Sequence, residues 1–184
     1  MTKSTIITLG VIIGILLIGG LYTYYSLKEV RLSERDSEAS RTLSVAAETP
    51  YTDLEGNPFT FDAFRGQVRV VNSWASWCPF CTKELEDFEQ LATEYKDKNV
   101  AVIAINRKEP KERASAFLAT LQDLSTIHFA IDLTDAYYRS IGGFSMPETV
   151  FYDAEGNIVL HKRGFMSLDE MRTHTEAAIN YVSE

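Results

Sequence analysis

Residues 68 to 95 constrain this chain most. An apolar run, Val68 to Trp74, leads into Cys78-Pro79-Phe80-Cys81, and apolar side chains then recur at helical spacing. Val68, Val70, Val71 and Trp74 have the bulk and branching of a buried central strand. Pro79 suits a first helical position, where its missing N–H leaves no bond unmade. Cys81, Leu85, Phe88, Leu91, Ala92 and Tyr95 line one face of the helix that follows. Glu84, Glu86, Asp87 and Glu89 crowd its first turns, where the helix dipole favours acids.

The two cysteines of this motif are the only ones among 184 residues. They cannot form a disulfide framework and also remain free, so stability must come from a packed core. They supply two of the four ligands a structural zinc site needs, and His128, His161 and His174 are scattered in sequence. No metal and no cofactor is assigned. A net charge of −8 argues against nucleic acid, because phosphate binding needs a basic surface.

Around the motif the chain alternates. Tyr51 and Phe59–Phe61 flank the turn residues Asp53 to Pro58 as a short hairpin, and Asp62–Arg65 is a helical turn closed by Gly66. Val100–Asn106 reads as a strand, followed from Pro110 by a helix with the stripe Ala114, Phe117, Leu118, Leu121, Leu124. A strand at His128–Ile131 and a helical segment Asp135–Ile141 come next. Thr149–Tyr152 and Ile158–Lys162 then form a hairpin about Asp153–Asn157. Ser167-Leu168-Asp169-Glu170 is a capping box, opening a helix with Leu168, Met171, Thr175, Ala178, Ile179 and Val182 on its apolar face. This order implies an α/β domain over residues 50–184, a central mixed sheet flanked by helices.

Residues 1–27 are read as a transmembrane anchor. From Ser4 to Leu27 no residue is charged, about 24 positions against the roughly 20 a bilayer core requires. Tyr22, Tyr24 and Tyr25 close the span, where amphipathic rings prefer the headgroup level. A cleaved signal peptide is the alternative, but its apolar part is about 7–15 residues long and needs a small-x-small site close behind. Residues 28–49 are polar and form a tether. Lys28, Arg31 and Arg35 outnumber Lys3, so charge counting does not favour an outside domain.

Val70-Val71-Asn72-Ser73-Trp74-Ala75-Ser76-Trp77-Cys78-Pro79-Phe80-Cys81, continuing through Glu84, resembles the active-site strand and helix of thioredoxin-fold proteins. With Met146-Pro147-Glu148-Thr149-Val150-Phe151-Tyr152-Asp153 and Gly156-Asn157-Ile158 in matching order, the chain is most similar to the TlpA/ResA-like membrane-anchored thioredoxins, including those of cytochrome c maturation. The resemblance covers about residues 50–180. It implies a thioredoxin fold, a cis Pro147 facing the cysteines, and a Met146 backbone that pairs with an extended substrate segment. This chain departs from the pattern at Asn72, which replaces the buried acid of ordinary thioredoxins, at Pro79-Phe80 inside the motif, and at Glu86, where a proline is usual.

On this reading Cys78 is the exposed nucleophile that forms a mixed disulfide, and Cys81 resolves it. Glu84 and Glu148 are the candidate bases for the Cys81 proton, acting through a water, since Asn72 cannot take it. Trp77, Pro79, Phe80, Met146 and Pro147 are the expected substrate-binding residues, and Trp74 is assigned to the core. The expected partners are protein thiol or disulfide substrates, apocytochrome c one candidate, and a membrane thiol-reducing donor. The domain is expected outside the cytoplasm on a single-pass anchor, where protein thiols become oxidised. The alternatives are an oxidant or isomerase of exported proteins and a copper-binding assembly factor. A peroxiredoxin is discounted, because the Thr it needs three residues before its cysteine is Ala75.

Overall fold

The computed structural model describes residue 17, residues 19–28 and residues 51–181. The expected anchor and tether lie largely outside the described residues. Residues 19–28 are helical, with Tyr22, Tyr24 and Tyr25 exposed. Among the described residues no helix is long and apolar enough to cross a membrane.

Residues 51–181 form one seven-stranded mixed sheet. Its strands are β1 (Tyr51–Thr52), β2 (Pro58–Phe59), β3 (Val68–Trp74), β4 (Val100–Arg107), β5 (His128–Asp132), β6 (Glu148–Tyr152) and β7 (Ile158–Arg163). They lie in the order β2-β1-β5-β4-β3-β6-β7. The central pairs β3–β4 and β4–β5 are parallel, and every pair outside them is antiparallel. The helices are α1 (Cys81–Tyr95), α2 (Lys111–Leu118), α3 (Ala136–Ser140) and α4 (Leu168–Ile179), with a 3-10 turn at Phe61–Phe64.

Alternation along the central strands explains both layers. Val68, Val70 and Trp74 of β3, with Val100, Val102 and Ala104 of β4, share a core with Leu85, Phe88 and Leu91 of α1 and Met171 and Ala178 of α4. Val71, Ala101, Ile103 and Ile105 point the other way, onto Phe61, Phe64, Tyr137, Tyr138 and Ile141. β4 is buried on both faces and reads as an unbroken hydrophobic run from Val100 to Ile105, whereas β3 carries Arg69, Asn72 and Ser73 among its apolar residues. The capping box of α4 forms: Ser167 accepts the Glu170 N–H while the Glu170 carboxyl accepts the Ser167 N–H at 2.9 Å.

Two expectations are corrected. The helix after Pro110 stops at Leu118, so Leu121 and Leu124 pack on the core from beyond it. The Thr120 hydroxyl and amide both take the Phe117 carbonyl, at 2.7 and 3.0 Å, and the chain tightens into i→i+3 turns there. The helix of the cysteine motif opens at Cys81, not at Pro79: Pro79 and Phe80 form a turn, and Phe80 is the N-cap. Val182 lies outside the described residues.

Candidate active site

Strand register gathers the site at one end of the sheet. Trp74 pairs with Asn106, and Ser73 pairs with Glu148, so the segments after β3, after β4 and before β6 all leave the sheet together. The segment after β7 joins them, because the Gly164 amide donates to the Pro147 carbonyl at 2.9 Å. Four stretches distant in sequence therefore meet: 75–80, 107–110, 144–147 and 164–166.

Cys78 and Cys81 are disulfide-bonded, their Cα atoms 5.4 Å apart. The Cys81 amide donates to the Cys78 carbonyl at 3.2 Å, placing both sulfurs at the N-terminal end of α1, whose unpaired N–H groups favour a developing thiolate. Contrary to expectation, Cys78 is not exposed: as the disulfide it keeps 2% of its accessible surface, and both cysteines belong to the core beneath α1. The apolar side chains that surround the pair in that core cover it.

Glu84 is fully buried. One carboxyl oxygen accepts from Asn72 Nδ2 at 2.9 Å and the other from the Met166 amide at 2.9 Å. Burial pushes this carboxyl up to about 8, and the bonds from Met166 and Asn72 offset only part of that effect. Asn72 is the register partner of Thr149 and donates to its hydroxyl at 3.0 Å, so the residue replacing the usual acid links β3, α1 and β6. The side-chain oxygen of Asn72 is buried without a hydrogen-bond partner.

Glu148 is also fully buried, but it faces the other way. It accepts the Phe144 and Ser145 amides at 2.6 and 2.5 Å, and His161 Nε2 stands 2.7 Å from its second oxygen. The hydrogen-bond and ion-pair partners of the Glu148 carboxylate belong to the 144–147 segment or to β7, so its place is to shape that segment. The Met146–Pro147 bond within it is cis, as the resemblance implies. On the opposite side the Tyr138 hydroxyl donates to the Ser145 carbonyl at 2.7 Å. The Tyr138 ring lies under Arg107 at 3.4 Å, and Asp135 holds that guanidinium with two bonds of 3.0 and 2.7 Å.

The same ring fills the space beside Gly143, where a Cβ would lie 2.5 Å from its atoms. The Arg107 stack and the Ser145 bond prevent the ring from swinging aside. Gly143→Ala is therefore expected to destabilise the domain by about 1–3 kcal/mol, read as a lower urea midpoint at unchanged slope.

The expected substrate surface is partly visible. Trp77 and Phe80 are each 60% exposed, while Trp74 is buried and stacks on Phe117. Met146 packs against the core that holds the cysteines. Phe144, 86% exposed, and Phe165, whose ring lies 6.4 Å from Phe80, extend this apolar rim. Sequence reasoning missed both, along with Glu109, Tyr138, His161 and Met166. An aromatic beside Gly142-Gly143 and another beside Gly164 were the available signals for the rim. Among the described residues no three His, Cys, Asp or Glu side chains gather into a set able to hold a metal ion, so the copper reading finds no third ligand beside the pair.

A Cys-x-x-Cys pair at the head of a helix, gathered with a cis-proline segment at one end of a mixed sheet, defines a thioredoxin-type dithiol protein. The Redoxin family model matches residues 37–179, and the chain belongs to that family, in its TlpA/ResA-like branch. It is 30% identical over 152 residues to the thiol-disulfide oxidoreductase ResA of Halalkalibacterium halodurans, covering 79% of each chain. It is 32% identical over 155 residues to the thioredoxin-like protein YneN of Bacillus subtilis, covering 82% of this chain and 84% of that one. Among solved structures, a putative thiol:disulfide interchange protein DsbE from Chlorobium tepidum superposes with a TM-score of 0.63 at 25% identity, covering 70% of this chain and 89% of that chain. Fold, cysteine pair and family together make the chain a thioredoxin-like thiol-disulfide oxidoreductase.

Proposed function

We propose that this chain is a membrane-tethered reductant of protein disulfides outside the cytoplasm, of the kind that serves cytochrome c maturation. The observation that carries the direction is the setting of the pair: both sulfurs lie in an apolar core, and the acid in the first turn of α1 is kept largely neutral at pH 7. Apolar burial disfavours a thiolate. The strong oxidants of this fold depend on a stabilised reduced form, so the potential is expected nearer −270 than −120 mV, on the order of thioredoxin's. The uncharged span Ser4–Leu27 and the ResA and DsbE relatives support the tether and the substrate class.

In the reductive cycle the Cys78 thiolate attacks one sulfur of a substrate disulfide. That S–S bond breaks, and the departing substrate sulfur takes up a proton as a mixed disulfide forms. Cys81 gives its proton to the carboxylate form of Glu84 through a water and attacks the Cys78 sulfur. The second substrate thiol is released and the pair is left oxidised. Two electrons and two protons from a membrane dithiol donor restore it. A carboxyl that titrates near the working pH both takes and returns a proton readily, which suits Glu84 better than Glu148. If Glu84→Gln leaves the exchange rate and its pH profile unchanged, the base is wrongly assigned.

The test of the whole reading is capture. In native membranes Cys81→Ser is expected to hold apocytochrome c on Cys78 as a mixed disulfide. A broad set of exported proteins captured instead, or a measured potential near −120 mV, would overturn it. A cysteine placed in residues 28–49 is expected to react with a membrane-impermeant thiol reagent in whole cells, and protection would overturn the orientation.

A further inference from the structure

Glu109 is 3% exposed and lies in the segment that follows β4. One of its oxygens accepts the Ser76 amide at 2.8 Å and Asn106 Nδ2 at 2.9 Å, and the other accepts the Ser76 hydroxyl at 2.6 Å. Ser76 is the second residue of a tight turn, Ala75–Cys78, closed by one backbone bond from the Cys78 amide to the Ala75 carbonyl at 3.1 Å. Asn106 is the register partner of Trp74, the last residue of β3. A single acid thus ties the ends of both central strands to the turn that delivers Trp77 and Cys78.

During each cycle the Cys78–Cys81 bond opens, and the turn loses its covalent tie to α1. The bonds from Ser76 to Glu109 involve neither sulfur. Burial opposes charge on Glu109, but the Ser76 and Asn106 donors outweigh it and keep the carboxyl below its ordinary range, so it stays an acceptor at neutral pH.

We propose that Glu109 is the positioning residue of the nucleophile: it holds the Ala75–Cys78 turn, and with it the Cys78 sulfur and the Trp77 ring, in register with the 144–147 segment while the disulfide is open. This deepens the thiol-exchange reading and rests on it. Glutamine at this position would keep all three bonds. Its carbonyl oxygen accepts from Ser76 N–H and Asn106, and its amide donates to the Ser76 hydroxyl. Alanine keeps none, and Ser76→Ala keeps the backbone bond alone.

The test measures two quantities on the full-length protein: disulfide exchange with a protein substrate, and the pH profile of Cys78 alkylation by iodoacetamide in a Cys81→Ser background. Glu109→Ala is expected to lower exchange about tenfold, mainly in kcat, and to raise the alkylation midpoint by roughly half a unit as the sulfur leaves the head of α1. Glu109→Gln is expected to restore both to within about twofold, and Ser76→Ala to fall between. Wild-type exchange and midpoint in Glu109→Ala would overturn the proposal, as would Glu109→Gln being as impaired as alanine. Should Glu109→Ala not fold, an unimpaired Ser76→Ala overturns it instead. If the wild-type chain exchanges no disulfide, the functional reading fails, while the alkylation midpoints still decide the role of Glu109.

Discussion

Cys81→Ser is expected to abolish multiple turnover, by at least about a thousandfold, while leaving the first chemical step intact, because the attacking and resolving sulfurs act in sequence. The mixed disulfide should accumulate stoichiometrically on Cys78, whereas Cys78→Ser should form none. Non-reducing electrophoresis after mixing with an oxidised protein substrate separates the two outcomes. Equal trapping by both variants would mean that Cys81 also attacks substrate directly. That would contradict the order assigned to the two sulfurs, in which Cys81, at the first position of α1, attacks second.

The second large effect concerns pH and stability. In the folded protein Glu84 is held at about 8 against an ordinary 4.5, chiefly by burial. Between these values the native state binds a proton that the unfolded chain does not, so this group makes stability fall as pH rises from about 4.5 to 8 and level off above it. The span corresponds to about 5 kcal/mol at most. Glu84→Gln removes the titration. Its amide keeps the Met166 bond through oxygen, and Asn72, whose own oxygen has no partner, can turn to accept the new N–H. Urea unfolding of the oxidised protein is therefore expected to show a pH dependence that flattens in the variant, with Glu84→Gln the more stable protein at pH 9 by several kcal/mol, on the order of that span. Parallel wild-type and variant curves would contradict the assignment.

Strand and helix identities were legible, because β3 is rich in branched and aromatic residues, β4 is apolar from Val100 to Ile105, and α1 and α4 carry single stripes. The cysteine pair and the Met146-Pro147-Glu148 segment were legible as motifs. The helix start was not: Pro79 satisfies the rules for a first helical position, yet the chain spends Pro79 and Phe80 on a turn that seats Cys78 against the core. The burial of Glu84 was also hidden. An acid in the first turn of a helix reads as a solvated dipole partner, and only the pairing of Asn72 with Thr149 and the return of the chain at Met166 reveal that it is enclosed. Glu109 was invisible for the same reason. Its partner Ser76 is 33 residues away, and the parallel register of β3 with β4 brings them together.

The placement of both sulfurs in the core beneath α1 ties electron transfer to folding through a closed thermodynamic cycle. Any difference in unfolding free energy between the dithiol and disulfide forms must equal the difference in reduction potential between the native and unfolded pair, with about 30 mV matching 1.4 kcal/mol. Melting the domain in defined thiol–disulfide buffers would therefore report how far the fold displaces the potential of the pair from that of the unfolded chain, without a partner protein.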